Sequence, residues 1–319
     1  MPNVRTTHFN CICGVLGTFL FFFGFVSYLV KERLYISEAF VSLLAGIVVS
    51  PHTTNIINLR TFISGNLGEE SESSHPFEPV THDFARLVLS IQVCLAGVQL
   101  PARYARTQWR ALATMLGPAM VGMWLISSLF IWAIVCVPGE TDGPLSRMPF
   151  LHALAVGACI APTDPVLSNT IIKGRWADKH VPVPMAQLIS AESGANDGLG
   201  YPFLYFALYL IKYLGTSGYV GEAGDGGAAG DWGGARSAMG MWFGEMWGFT
   251  IVLSVVWGVF VGWVARRGLK VAKSLHYVDK ESVFATTVVM AVLLVGTCGM
   301  VGRDDVLACF VAGNALSWE

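Results

Sequence analysis

Two short polar runs carry the residues of this chain that could do chemistry. One is Ala161-Pro162-Thr163-Asp164-Pro165 and the other is Ala191-Glu192-Ser193-Gly194-Ala195-Asn196-Asp197-Gly198. They supply the carboxyls of Asp164, Glu192 and Asp197, the carboxamide of Asn196 and the hydroxyls of Thr163 and Ser193. Oxygen donors of this kind suit a hard cation. A carboxyl held out of water beside a second one can also keep a proton as readily as a cation. Each run is embedded in an apolar stretch long enough to cross a bilayer, where an ionisable side chain costs about 2.5–3.5 kcal/mol even on the gentler insertion scales. Such residues are kept for a partner or for a task.

In the first run, Pro162 and Pro165 bracket Thr163 and Asp164. Proline removes a backbone donor and pushes the residue before it out of the α region, so a helix over 150–171 should be interrupted there. Backbone groups freed at membrane depth are tolerated where protein buries them or where they line a cavity. Asp164 can then cap the following half-helix while Thr163 turns oxygen toward a cation. A plain proline kink with a capping Asp is the other reading of this run.

In the second run, with Glu192 set at 0° on a helix, Asn196 falls at about 40°, Ser193 at about 100°, Asp197 at about 140° and Ser190 at about 160°. All share one face. Ala195 and Leu199 lie on the other, which suits packing or lipid. Gly194, Gly198 and Gly200 admit a close neighbour, expected to be the interrupted span. A polar cluster that merely glues helices is the alternative, although two acids without a Lys or Arg make poor glue.

The elements that must position these runs follow from composition. Of 319 residues, 54% are hydrophobic and 13% charged, with mean hydropathy +0.56. That is an all-α polytopic membrane protein, outside the soluble class. Apolar runs fall at 11–30, 34–50, 84–100, 111–137, 150–171, 184–211, 246–265 and 282–301, with a ninth starting near Asp305. One transmembrane domain of about nine spans, 1–319, is expected. Lys and Arg concentrate in alternate loops: 13 in 31–33, 101–110, 172–183 and 266–281, against 6 in the remaining, longer loops. The positive-inside rule therefore puts the N-terminus outside and 266–281 in the cytoplasm. Residues 214–244 are glycine-rich and read as an outer flexible loop.

A net charge of −2 with no basic domain excludes nucleic acid as a partner. The 7 cysteines lie in apolar spans or at their edges and read as small buried hydrophobes, and the 7 histidines lack ligand spacing. No cofactor is expected. An intramembrane enzyme lacks a nucleophile with its base, or a metal motif.

Read together, Pro162-Thr163-Asp164-Pro165 and Glu192-Ser193-Gly194-Ala195-Asn196-Asp197-Gly198 resemble the signature motifs of the cation:proton antiporter superfamily, in its sodium/proton exchanger branch. With Gly302-Arg303-Asp304-Asp305 ahead of the ninth span, the layout is similar to fungal plasma-membrane Na⁺(K⁺)/H⁺ antiporters. The resemblance implies the sodium/proton antiporter fold with a Pro-broken helix, and a homodimer in the plasma membrane with monovalent cations, protons and lipid as partners. It implies secondary active exchange of protons for Na⁺ or Li⁺, with K⁺ a further candidate, in cation extrusion and pH homeostasis. By position, Asp197 would exchange proton for cation and Asn196 would support it. Thr163, Asp164, Glu192 and Ser193 would complete the site, with Na⁺ held at Asp197, Asp164 and Thr163. Asp304 and Asp305 are a weaker outer acidic pair, read first as a helix cap and otherwise as a guide for cations. The fold also implies a second broken helix crossing the first, which 1–319 does not supply, so an inverted repeat truncated at its C-terminal side is expected. A cation channel and a non-transporting receptor or scaffold are the rival functions.

Overall fold

The computed structural model describes residues 14–23, 38–50, 52–54, 78–135, 149–214, 234–274, 280–302 and 304–318. Among them the regular structure is helical throughout: α1 (Gly14–Phe23), α2 (Glu38–Val49), α3 (Glu78–Gln99), α4 (Trp109–Val135), α5 (Phe150–Ile160), α6 (Pro165–Ile172), α7 (Val183–Leu214), α8 (Gly234–Ser274), α9 (Lys280–Val301) and α10 (Asp305–Leu316). Among the described residues these helices overlap the apolar runs read from the sequence, with α8 extending beyond 246–265 at both ends. By length and composition α4, α8 and the Val283–Val301 stretch of α9 can each cross a membrane alone. Helix α7, at 32 residues, is long enough but carries Glu192, Asp197 and Lys212. Large apolar side chains such as Phe130, Ile134, Phe260 and Val289 stand exposed on α4, α8 and α9, as a hydrocarbon surrounding requires. The chain is an all-α polytopic membrane protein.

The expected interruption is present. Helix α5 stops at Ile160 and α6 starts at Pro165, leaving residues 161–164 outside both helices. Pro165 takes the first position of α6, where its missing N–H costs nothing. Pro118, inside α4, has a milder effect: Met115–Ala119 widens into a π-helical turn, which absorbs the freed carbonyl without ending the helix.

Three expectations are corrected. The glycine-rich loop expected over 214–244 does not reach that far: residues 215–233 lie outside the described residues, and α8 begins at Gly234. Its first turns bury Ala238 against Tyr209 and Met246, an apolar contact masked by the surrounding glycines. The loops at 101–110 and 172–183 contain the helical turns Tyr104–Thr107 and Arg175–His180. Tyr104 is buried, and Arg103 before it adopts left-handed backbone at φ 58°.

The chain divides into two compact units. The first comprises 1–88 and 166–186; there Thr53 and Thr54 hydroxyls donate to the carbonyls of Ile47 and Val48 at the end of α2, and Trp176 stacks on His180. The second comprises 89–165 and 187–319 and holds both polar runs. Its centre is α10. Gly258 and Gly262 of α8 meet Ala308 and Ala312 of α10 so closely that a methyl on Gly258 would lie 2.5 Å from the Ala308 carbonyl oxygen. Gly313 packs equally tightly on the Cys94 carbonyl of α3. With no hydrophobic drive between helices in lipid, close backbone approach of this kind is the main source of association. Cys94, Cys298 and Cys309 are buried in the resulting core, as expected, whereas Cys159 on α5 is exposed, against that expectation; Cys11, Cys13 and Cys136 lie outside the described residues.

Candidate functional site

The site is built where the break between α5 and α6 meets the middle of α7. Because residues 161–164 leave the helix, Thr163 presents both its side chain and its carbonyl sideways. Its hydroxyl donates to the Glu192 carboxylate, 3.1 Å to Oε2 and 3.3 Å to Oε1, and accepts from Asn196 Nδ2 at 2.8 Å. Asn196 Nδ2 also donates to Glu192 Oε1 at 2.7 Å, one helical turn away. Ser193 Oγ donates to the Thr163 carbonyl at 3.0 Å, satisfying a backbone group that the break had freed. Glu192, Ser193 and Asn196 are all buried. The sequence-based angular count placed these three on one face, and the structure brings them together on Thr163.

Asp197 faces a second neighbour. Its carboxylate is within electrostatic reach of Asp164, Asp304 and Glu192, so four carboxyls converge on one region. Two buried oxygens there, Asn196 Oδ1 and Asp197 Oδ2, have no hydrogen-bond partner among the described residues. Buried acceptors are ordinarily satisfied, and two orphan oxygens beside converging carboxyls have the chemistry to take a proton or a small cation. No Lys or Arg occurs from Phe150 through Ile172, from Val183 through Ile211 or in α10 to neutralise them. Asp164 is exposed and Thr163 half-buried. The break thus offers one group tied into the network and one open to solvent or cargo.

The expectation for the small residues of α7 is corrected in its partner. Gly200 does pack on Pro162, but a methyl on Gly194 would lie 2.7 Å from the Phe310 ring, and one on Gly198 would lie 2.5 Å from Leu307 Cβ and 2.7 Å from Asp304 Oδ2. Helix α10, more than the break, is the close neighbour. Ala195, expected on a packing or lipid face, is buried beside Val306 and Phe310.

The outer acidic pair is likewise placed inside. Asp304 and Asp305 are each 3% exposed, not at an open mouth. Asp304 caps α10, accepting from Leu307 N at 3.0 Å, which confirms the capping reading. Asp305 accepts from Ser90 Oγ at 3.4 Å. Ser90, Phe310 and Leu307 were not singled out in the sequence, since nothing local marks them. Only the Asp304-Asp305 pair at the head of an apolar run pointed to this helix.

Residues 18–319 match the family model of the transmembrane sodium/hydrogen exchanger. The chain is 32% identical over 317 residues to Na⁺/H⁺ antiporter 2 of Zygosaccharomyces rouxii, covering 99% of this chain and 34% of that protein. It is 31% identical over 317 residues to the Na⁺/H⁺ antiporter of Saccharomyces cerevisiae (99% and 28%), and 27% identical over 310 residues to one of Schizosaccharomyces pombe (96% and 57%). It therefore spans about a third of the length of the first two relatives. A match running from the first helix through both polar motifs to the last residue makes this chain a member of the sodium/hydrogen exchanger family.

Proposed function

We propose that this chain holds the ion-exchanging core of a secondary active antiporter that swaps protons for Na⁺ or Li⁺, with K⁺ a third candidate, across the plasma membrane. The observation that carries the reading is the pair of orphan oxygens, Asn196 Oδ1 and Asp197 Oδ2, beside converging carboxyls, with no Lys or Arg on α7 before Lys212 near its far end. A site that binds either a proton or a cation, and never both, couples the two fluxes when it opens to the two sides in turn. The relatives' names, all Na⁺/H⁺ antiporters, support the same cargo.

In this mechanism Asp197 is the exchanging carboxylate. Asp164, exposed at the break, meets the cation with Asp197, while Glu192, Asn196 and Ser193 hold Thr163 and hence the break itself. The two half-helix ends at residues 161–164 add partial charges of opposite sign. Alternating access by rocking of one helical bundle against another, and a homodimeric assembly, belong to the same proposal. The physiological role is cation extrusion and pH homeostasis.

The test is proton movement in sealed vesicles carrying the full-length protein, followed with a pH-sensitive dye as Na⁺, Li⁺ and K⁺ are added in turn. Wild type should exchange, and Asp197→Asn should not. Exchange by Asp197→Asn would remove Asp197 from the mechanism. Cation flux without proton movement would favour a channel instead, and no flux of either kind a receptor or scaffold.

A further inference from the structure

Helix α8 carries a single acidic residue over its whole length, Glu245, and it falls in the π-helical stretch Trp242–Ile251. Irregular turns of this kind concentrate at functional sites, and Glu245 is exposed just ahead of the apolar run 246–265, where an arriving cation can reach it. The antiport mechanism leaves this carboxylate unused. Its Oε2 accepts a 2.5 Å hydrogen bond from the Tyr209 hydroxyl of α7. Tyr209 is itself buried, 8% exposed, against Ala238 and Met246, and Trp242 Nε1 donates to the Pro202 carbonyl at 2.7 Å. The pair is therefore locked in place from both helices. Tyr209 takes up one carboxylate oxygen and leaves the other for a ligand.

Tyr209 also belongs to a row that starts at the ion site. Asp197, Tyr201, Tyr205, Tyr209 and Tyr213 follow one another at four-residue spacing, which is one ridge of the helix. Their ring centroids are 6.2 Å apart from Tyr201 to Tyr205, 5.8 Å to Tyr209 and 6.4 Å to Tyr213. Aromatic faces attract cations, and Lys212 Nζ already lies 5.5 Å from the Tyr213 ring centre. From Asp197 to Tyr209 the ridge covers about 18 Å at ~1.5 Å per residue. Loop charges place this end of α7 on the outer side.

We propose that Glu245 and Tyr209 form a second station for monovalent alkali cations, toward the outer end of the tyrosine ridge, through which the cargo passes between Asp197 and the outer surface. The proposal rests on the antiporter reading for its cargo and direction. A helix contact alone would not need the charge, because glutamine accepts the same hydrogen bond from Tyr209.

Glu245→Gln makes that distinction. In vesicles of known orientation carrying the full-length protein, the KM for Na⁺ offered at the outer face should rise about tenfold, while KM at the cytoplasmic face and the maximal rate stay within about twofold of wild type. Tyr209→Phe should give a smaller rise at the outer face only. An unchanged outer KM, or an equal rise at both faces, overturns the station. Na⁺ calorimetry separates this from failure of the antiport reading: an Asp197→Asn protein should retain a weak Na⁺ site that the added Glu245→Gln removes. If Asp197→Asn binds no Na⁺, or the double variant binds it as well, the station is refuted even where no exchange is detected.

Discussion

Thr163→Val is the sharpest test of how the site is held. Valine keeps the volume and the branched Cβ of threonine but removes the hydroxyl that donates to Glu192 and accepts from Asn196. The first bond is to a carboxylate and is worth about 1.5–3 kcal/mol; the second, between neutral groups, about 0.5–1.5 kcal/mol. Neither partner is fully stranded, because Asn196 Nδ2 still reaches Glu192 Oε1 at 2.7 Å and Ser193 still holds the Thr163 carbonyl. A net cost of about 2–3 kcal/mol follows, or about 30- to 150-fold when it falls wholly on the exchange-competent arrangement. The assay is the initial rate of Na⁺-driven proton exchange in vesicles, with a melting curve of the purified protein alongside. Thr163→Ser, which restores the hydroxyl, should return the rate to within about threefold of wild type. Exchange by the valine variant at the wild-type rate would refute the network as the clamp on the break. A serine variant as slow as valine would show that the branched methyl, not the hydroxyl, is what matters.

Packing predictions follow from the same contacts. Gly198→Ala drives a methyl into Leu307 and Asp304, so overpacking of about 1–3 kcal/mol should exceed the ~1 kcal/mol gained in helix propensity and lower the melting temperature. Gly296→Ala, with nothing within 4 Å of the added carbon, should melt no lower than wild type, and the contrast between the two is the measurement. Trp124→Phe loses the 2.8 Å bond from Nε1 to the Leu154 carbonyl; it should cost about 1 kcal/mol in thermal stability and leave the cation dependence of exchange unchanged.

What could be read from the sequence was whatever is encoded within one helix. Two prolines three residues apart announce a break, and the angular positions of Glu192, Ser193 and Asn196 announce a shared face. Both statements need only backbone geometry. The partner of that face could be named in part: Thr163 belongs to the adjacent span, and a short connection made it the natural neighbour. Helix α10 could not be named, because Gly194 and Gly198 say only that something comes close, and Phe310 and Leu307 are ordinary apolar residues until the chain folds back. The start of α8 failed for a different reason. Glycine composition is evidence for a loop only where no apolar surface stands nearby, and Ala238 finds one in Tyr209 and Met246.

The two acids of α7, to which the resemblance gives different roles, also differ in their surroundings. Glu192 is buried at 8% exposure with both oxygens engaged, one by Thr163 and the other by Thr163 and Asn196. A carboxylate satisfied in this way has little to gain from a cation and much to lose from moving. Asp197 stands five residues on, half-buried, with one oxygen orphaned and three further carboxyls within reach. A group in that position is stabilised by anything positive that arrives, proton or metal ion, and the two cannot share it. Under the proposed antiport, the clamp and the exchanger are therefore different residues on one helix face. The clamp would fix the break from which Asp164 projects, and the exchanger would work because its own hydrogen bonding has been left incomplete.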